Sequence, residues 1–281
     1  MSQNAPDSPF ESSTPSTVPS APVRPKVWVA RTAIMWAVFS VLLLVFGSLV
    51  LIKFTGTGRA YWLKLTGAEA RDREAAKALK DFGAIVVVGP NGYASSLNLL
   101  GKKVDQDVLK NIAALSELDN LDAANTNITD DDLWCLAKLT NLSNLMLTGT
   151  AVSGPGLVQL KGLRELTGLN LANTPLGDDG LTHLTGLRNL HVLDLSKTRL
   201  TDAGMEHVAA MKGIHHLLVI DTAITDDGLA LLAGIKGLKR LSIARTKVTP
   251  AGLKKLQDAL PELSIDGPGA KADLPQLPNV R

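Results

Sequence analysis

From Leu97 to Asp266 the apolar positions recur with a period of 24. Leu121, Leu145, Leu169, Leu193, Leu217 and Leu241 form one row, and Ala123, Leu147, Leu171, Leu195, Val219 and Ile243 form a second, two positions on. A threonine row follows at Thr126, Thr150, Thr174, Thr198, Thr222 and Thr246, then an aliphatic row at Ile128, Val152, Leu176, Leu200, Ile224 and Val248. Leu97, Leu99 and Val104 belong to an earlier, degenerate copy. Spacing of two, as in Leu193-x-Leu195, puts both side chains on one face of a short strand. Gly180-Leu181-x-x-Leu184-x-x-Leu187-x-x-Leu190 has helical or 3₁₀ spacing and a single apolar stripe. Neither face can be covered within one unit, so successive units must stack. Parallel strands lie about 4.8 Å apart, whereas helices are about 10 Å across, which bends the stack with the strands inside. The pattern predicts an α/β solenoid of horseshoe shape, with parallel strands on the concave side and short helices on the convex side.

Thr129, Ser153, Thr201, Thr225 and Thr249 stand where a helix N-cap belongs. Pro250 follows at the first helical position, where a missing N–H costs nothing. Thr129-Asp130-Asp131-Asp132 has the form of a capping box with Asp in place of Glu. Asp178, Asp179, Asp202, Asp226 and Asp227 crowd the positive helix ends. Calcium loops need several oxygens converging on one tight turn, whereas these acids recur once per unit, so capping is the expected role. The hydroxyls of the threonine row are expected to bond backbone of the adjacent coil, as a ladder.

The unit L-x-x-L-x-x-L-x-L-x-x-T-x-I-T-D-x-G-L resembles leucine-rich repeat proteins. Its T-x-[IV]-T-D-x-G-L form is similar to repeats of bacterial membrane-anchored leucine-rich repeat proteins. It also resembles the cysteine-containing repeats of F-box proteins, with Thr at the Cys position. The resemblance spans about Leu97 to Asp266. It implies the horseshoe fold and leaves function open, because such folds carry many roles. No F-box-like helical segment precedes the repeats, so no ubiquitin-ligase role carries over.

Upstream the chain changes character. Residues 1–32 begin with a Ser-, Pro- and Thr-rich stretch too poor in apolar side chains to order itself. Residues 33–52, AIMWAVFSVLLLVFGSLVLI, contain no charge and as a helix span the roughly 30 Å hydrocarbon core. Trp28, Trp36, Tyr61 and Trp62 lie near its ends, where amphipathic rings settle. A cleaved signal peptide has a shorter core and does not start this far in, and a buried helix would show a polar face. A single transmembrane helix is therefore expected here. Arg24, Lys26 and Arg31 before it balance Lys53, Arg59 and Lys64 after it, a near tie in orientation. An uncleaved anchor with a short N-terminal tail places the C-terminal part on the non-cytoplasmic side, which is the expected arrangement. Residues 53–65 form a juxtamembrane linker. Residues 66–96 form an N-terminal cap, with a helix over Ala68–Phe82 and a hairpin turning at Gly89-Pro90-Asn91-Gly92. Repeats fill 97–266, and the Pro-rich tail 267–281 is expected to be disordered.

Net charge is only +2, and within Leu97–Asp266 acids outnumber Lys and Arg by 20 to 17, the wrong sign for a nucleic-acid partner. The single cysteine, Cys135, closes no internal disulfide and reads as a buried hydrophobe. His183 and His207 are one period apart and follow from the repeat itself; no H-E-x-x-H spacing is present. Gly154-Pro155-Gly156 lies in the repeat register, and its proline lacks the N–H a phosphate cradle needs. No enzyme, cofactor or metal is expected. What varies is the concave strand face, where Asp122, Met146, Asn170, Asp194, His216, Leu218, Arg240 and Arg245 are the candidate partner-binding residues. This face runs from acidic and amide-rich through apolar to basic. A membrane-anchored module that binds a protein or peptide is the favoured function. The alternative is an architectural, self-associating envelope protein with no concave-face ligand.

Overall fold

A computed structural model of the chain describes residues 67–267. Among these, no helix is long and apolar enough to cross a membrane. The expected span at 33–52, the tail 1–32, the linker 53–65 and the stretch beyond Gly267 lie outside the described residues.

The described chain opens with helix α1 (Ala68–Asp81), followed by β1 (Ile85–Val88) and β2 (Ala94–Asn98) as an antiparallel pair. Every later strand is three residues long and pairs in parallel with the one before. They are β3 (Asn120–Asp122), β4 (Asn144–Met146), β5 (Gly168–Asn170), β6 (Val192–Asp194), β7 (His216–Leu218), β8 (Arg240–Ser242) and β9 (Ser264–Asp266). The register matches the 24-residue period, with Leu121, Leu145, Leu169, Leu193, Leu217 and Leu241 directly opposite one another. Between strands, the return segments are α2 (Gln106–Ala114), three 3₁₀ stretches over Asp130–Leu136, Pro155–Gly162 and Asp178–Leu184, then α3 (Asp202–Ala210), α4 (Asp226–Leu231) and α5 (Pro250–Ala259). One continuous core runs along the stack and buries every leucine of the first row.

Each strand ends in a turn. Asn125, Asn173, Lys197, Asp221 and Arg245 have φ between 56° and 59°, and Gly149 fills the equivalent position. This left-handed residue reverses the chain so that the following threonine faces back along its own coil. Thr126, Thr150, Thr174, Thr198, Thr222 and Thr246 each donate to the carbonyl three residues earlier, at 2.6–2.9 Å. The expected ladder to the adjacent coil is therefore replaced by a bond within each coil, which closes the turn.

The bond between coils comes from the aspartates. Asp178 accepts from the backbone N–H of Thr201 at 2.8 Å and from its hydroxyl at 2.6 Å. Asp202 holds Thr225 and Asp226 holds Thr249 in the same way. Asp130 binds Ser153 twice and the N–H groups of Gly154 and Gly156 as well. Partial burial pushes the Asp130 carboxyl up, but these four bonds together hold it below its ordinary range. The hydroxyl and backbone of Thr249 likewise hold Asp226 down. These acids thus serve the next coil's cap more than their own helix. Thr129, Thr201, Thr225 and Thr249 are N-caps, with the capping box of Thr129 and Asp132 formed, and Pro250 opens α5. Ser153 is not a cap: Gly154 takes that place, at φ 141° and without a side-chain bond.

Close approach of the preceding coil's carboxylate explains Gly204, Gly228 and Gly252, which face Asp178, Asp202 and Asp226. A methyl group on Gly204 would run into Asp178 Oδ1 and Leu200 Cδ1. Gly204→Ala is therefore expected to cost about 1–3 kcal/mol and lower Tm by several degrees. Gly186→Ala meets nothing within 4 Å and serves as the control, with Tm unchanged or raised. Equal Tm for Gly204→Ala and the parent would contradict this packing.

Candidate functional site

Alternation along the strands leaves two outward rows on the sheet, aligned by the parallel register. One is Asn120, Asn144, Gly168, Val192, His216 and Arg240; the other is Asp122, Met146, Asn170, Asp194, Leu218 and Ser242. The face divides into two parts with different chemistry.

From Asn120 to Asp194 the polar side chains satisfy one another. Asn144 Nδ2 donates to Asn120 Oδ1 at 2.8 Å, and the Ser143 hydroxyl donates to the Asp119 carboxylate. Thr148 Oγ1 donates to Asn170 Oδ1 at 2.8 Å, and Asn170 Nδ2 donates to Asp194 Oδ2 at 3.2 Å. Asp122, Asn170 and Asp194 also accept from the N–H two residues on, at 2.9–3.0 Å. Burial pushes the Asp194 carboxyl up against the opposing pull of Ser196 and Asn170. The first duty of these three residues is to hold the turn that ends each strand. Met146, half-buried, lies between them in the same row.

Past Asp194 these ties thin out to two, the Ile220 N–H donating to Ser196 Oγ and the Ser242 hydroxyl donating to Asp266 Oδ2, each at 3.3 Å. Val192, His216 and Arg240 are neighbours in register, with Leu218 and Ile220 on the same coil as His216. Among the described residues the side chains of His216 and Arg240 have no hydrogen-bond partner. Leu218 is 5% exposed and forms the floor of the patch. Arg245 stands off the strands in the left-handed turn, 3.7 Å from the Asp221 carboxylate, with both side chains exposed. Val192 escaped the sequence reading because an aliphatic residue beside Leu193 looks like core. Its place one period before His216 was the available signal.

Just before these strands His191 and His215 meet with ring centroids 4.6 Å apart and planes tilted by 45°, and His191 Nδ1 lies 3.0 Å from the Gly213 carbonyl. Burial, then His191, Lys239 and His216, push His215 down from its ordinary 6.5. Burial, then Arg240 and Lys239, do the same for His216. Neutral imidazoles among cations can donate or accept hydrogen bonds without adding charge.

The leucine-rich repeat family model matches residues 186–209, which run from the end of one return segment through β6 into α3. Its matched unit is the one whose register the whole stack repeats. The fold is a leucine-rich repeat solenoid. Among solved structures it is similar to an internalin (inlF) from Listeria monocytogenes, at 18% identity and TM-score 0.53, over 63% of this chain and 48% of that one. It is also similar to internalin C2 (inlC2) of the same organism, at 23% identity and TM-score 0.54, over 75% of this chain and 89% of that one. The chain thus spans about half the length of the first. No curated protein matches the sequence.

One irregularity interrupts the leucine-rich repeat frame. Gly154 stands where Asp130, Asp178, Asp202 and Asp226 form the bridges of their coils, and Gly177 stands where the next coil would carry the receiving Thr. The two losses face each other. Gly154 and Gly180 come so close that a Cβ on Gly154 would meet Gly180 Cα at 2.8 Å. A groove of about 530 Å³ opens there, lined by Ser153, Pro155, Pro175, Asp179, His183 and Arg199 among others. Cys135 is buried and its thiol is pushed up to about 12, chiefly by burial, which makes it inert. Among the described residues no group of three His, Cys, Asp or Glu side chains could hold a metal ion.

Both His215 and His216 are expected to titrate below 6.5 by NMR, and Lys239→Ala is expected to move both upward. Because the folded values are depressed, the stability they contribute is present above the unfolded value. It is lost as pH falls from there through the folded values. Titration of either ring at or above 6.5 would contradict the geometry.

Proposed function

We propose that this chain is a membrane-tethered binding module. In this reading it captures a protein or extended peptide on the outer face of its sheet, through Val192, His216, Leu218, Ile220 and Arg240. The observation that carries the reading is the change along that face. Its first half is closed on itself by side-chain hydrogen bonds, while its second half offers an apolar floor with an imidazole and a guanidinium left for a partner. An apolar centre rimmed by polar side chains, Arg among them, is the anatomy of a protein interface. Leucine-rich repeat domains are generally binding scaffolds, and their curved surfaces commonly take protein partners. Asp122, Asn170 and Asp194 support the frame in this reading, and Arg245 lies at the rim.

The tether is the uncharged stretch 33–52, whose length and flanking aromatic residues fit a single membrane span. The repeat domain then lies on the non-cytoplasmic side. Protease added to intact cells is expected to digest the repeat domain without lysis, and full protection would reverse the orientation.

The binding face is tested by cross-linking with the full-length chain in detergent. The parent is compared with His216→Glu/Arg240→Glu and with Asn120→Ala/Asn144→Ala, all three matched by circular dichroism. A partner is expected with the parent and the asparagine variant and lost from the other. Identical partners for all three folded proteins, or none for any, would overturn the assignment.

A further inference from the structure

The solenoid has two long edges, one where strands start and one where they end, and their charges differ. Four successive loops that lead into strands, 163–167, 187–191, 211–215 and 235–239, carry Arg164, Arg188, Lys212, Lys236 and Lys239 against one acid, Glu165. Arg164, Arg188, Lys212 and Lys236 are each one period apart, so they form a row with one cation per coil, on loops that lead into strands paired about 4.8 Å apart. All five cations are exposed, and none is in an ion pair among the described residues. Lys161, Arg164 and Arg188 line a groove of about 510 Å³ that has no carboxylate in its wall. At the opposite edge the exposed Asp131, Asp179 and Asp227 and the bridging aspartates alternate with Lys197, Arg199, Arg245 and Lys247, so cations there stand among carboxylates.

The chain arrives at the basic side. Asp72, in the first half of α1, accepts from the Ala94 N–H at 3.0 Å, at the beginning of β2. At the far end of α1, Phe82 lies under Lys102, 5.7 Å from ring centroid to Nζ, past the end of β2. Helix α1 therefore runs from the strand-start edge to the strand-end edge, and its N-terminus lies at the level where the cation row stands. Only residues 53–66 separate it from the proposed span, a reach of at most roughly 50 Å.

We propose that the edge bearing Arg164, Arg188, Lys212 and Lys236 rests on anionic lipid headgroups of the membrane that holds the tether. The inference rests on the reading of 33–52 as a span. A cation row of one per coil fits a plane of phosphates, whereas the cations of the opposite edge are interleaved with aspartates that anionic headgroups repel. A short tether holds the domain at high effective concentration, so a weak attraction suffices. Headgroup contact on one edge leaves the outer face of the sheet standing across the membrane plane, open to a partner.

The test reconstitutes the full-length chain in nanodiscs of neutral phosphatidylcholine, with or without phosphatidylglycerol, each doped with headgroup spin-labelled lipid. A fluorophore is placed at Thr185→Cys on the basic edge or Ala223→Cys on the other; the inert Cys135 leaves the introduced thiol as the reactive one. Quenching is expected at 185 and not at 223, only with phosphatidylglycerol, and reversed by 0.5 M salt. Each cation replaced by Gln is expected to lower the docked-to-free ratio roughly fivefold. A full Arg164→Glu/Arg188→Glu/Lys212→Glu/Lys236→Glu variant should match the 223 control. Equal quenching at both edges, or no dependence on phosphatidylglycerol, overturns the proposal while leaving the span intact. Capture of soluble heparin by the row in neutral discs, without a response to phosphatidylglycerol, assigns it to a soluble polyanion and also overturns it. Failure of the chain to enter nanodiscs at all removes the span, and the proposal with it.

Discussion

A coil of this solenoid has an apolar lining and nothing of its own to cover it. Leu193 and Leu195 are fully buried because neighbouring coils lie on either side, and those coils depend on their neighbours in turn. Everything else serves that stacking. Register must be held to the residue, since a slip of one position would turn the leucine row outward. The left-handed turn, the threonine bond within the coil and the carboxylate bridge between coils all act against such a slip. At the N-terminal end, α1 and the β1–β2 hairpin close the core that the first coil would otherwise leave open.

The rows of the core were legible because the period is strict and strand spacing of two is unambiguous. The caps at Thr129, Thr201, Thr225 and Thr249 were legible for the same reason. What could not be read was direction. A hydroxyl recurring every 24 residues points somewhere regular, but only the left-handed turn at Asn173 or Lys197 decides that it faces its own coil. Asp178 is adjacent in sequence to the helix it was expected to cap, whereas its partner Thr201 is 23 residues away. On the sheet face, the expected residues came from alternation alone. Alternation cannot tell Asp194, which closes a turn, from His216, which closes nothing.

The faces divide the work. The lining holds the stack, and the first half of the outer face is tied into it by hydrogen bonds. In the second half Val192, His216, Leu218 and Arg240 take no part in such ties, so those side chains can change without loosening a strand. The two edges differ for a similar reason. At the strand-end edge acids are required by the bridges, while at the strand-start edge the ties between coils run largely to backbone carbonyls, as from Thr167 and Asn189, and leave the neighbouring charged positions free.

The facing loss at Gly154 and Gly177 bears on how such a chain can change length. Every other bridge is an Asp on one coil and a Thr or Ser on the next, so removing the coil that carries Thr201 and Asp202 would bring Asp178 against Thr225 and leave a matched pair. Removing the coil of Gly154 alone would set Asp130 against Gly177, an acceptor without its hydroxyl. Only the two glycine-bearing coils taken out together restore a match, Asp130 to Thr201. The repeat is thus modular in single units over its later coils and in a double unit here, an indivisible pair within an otherwise divisible chain.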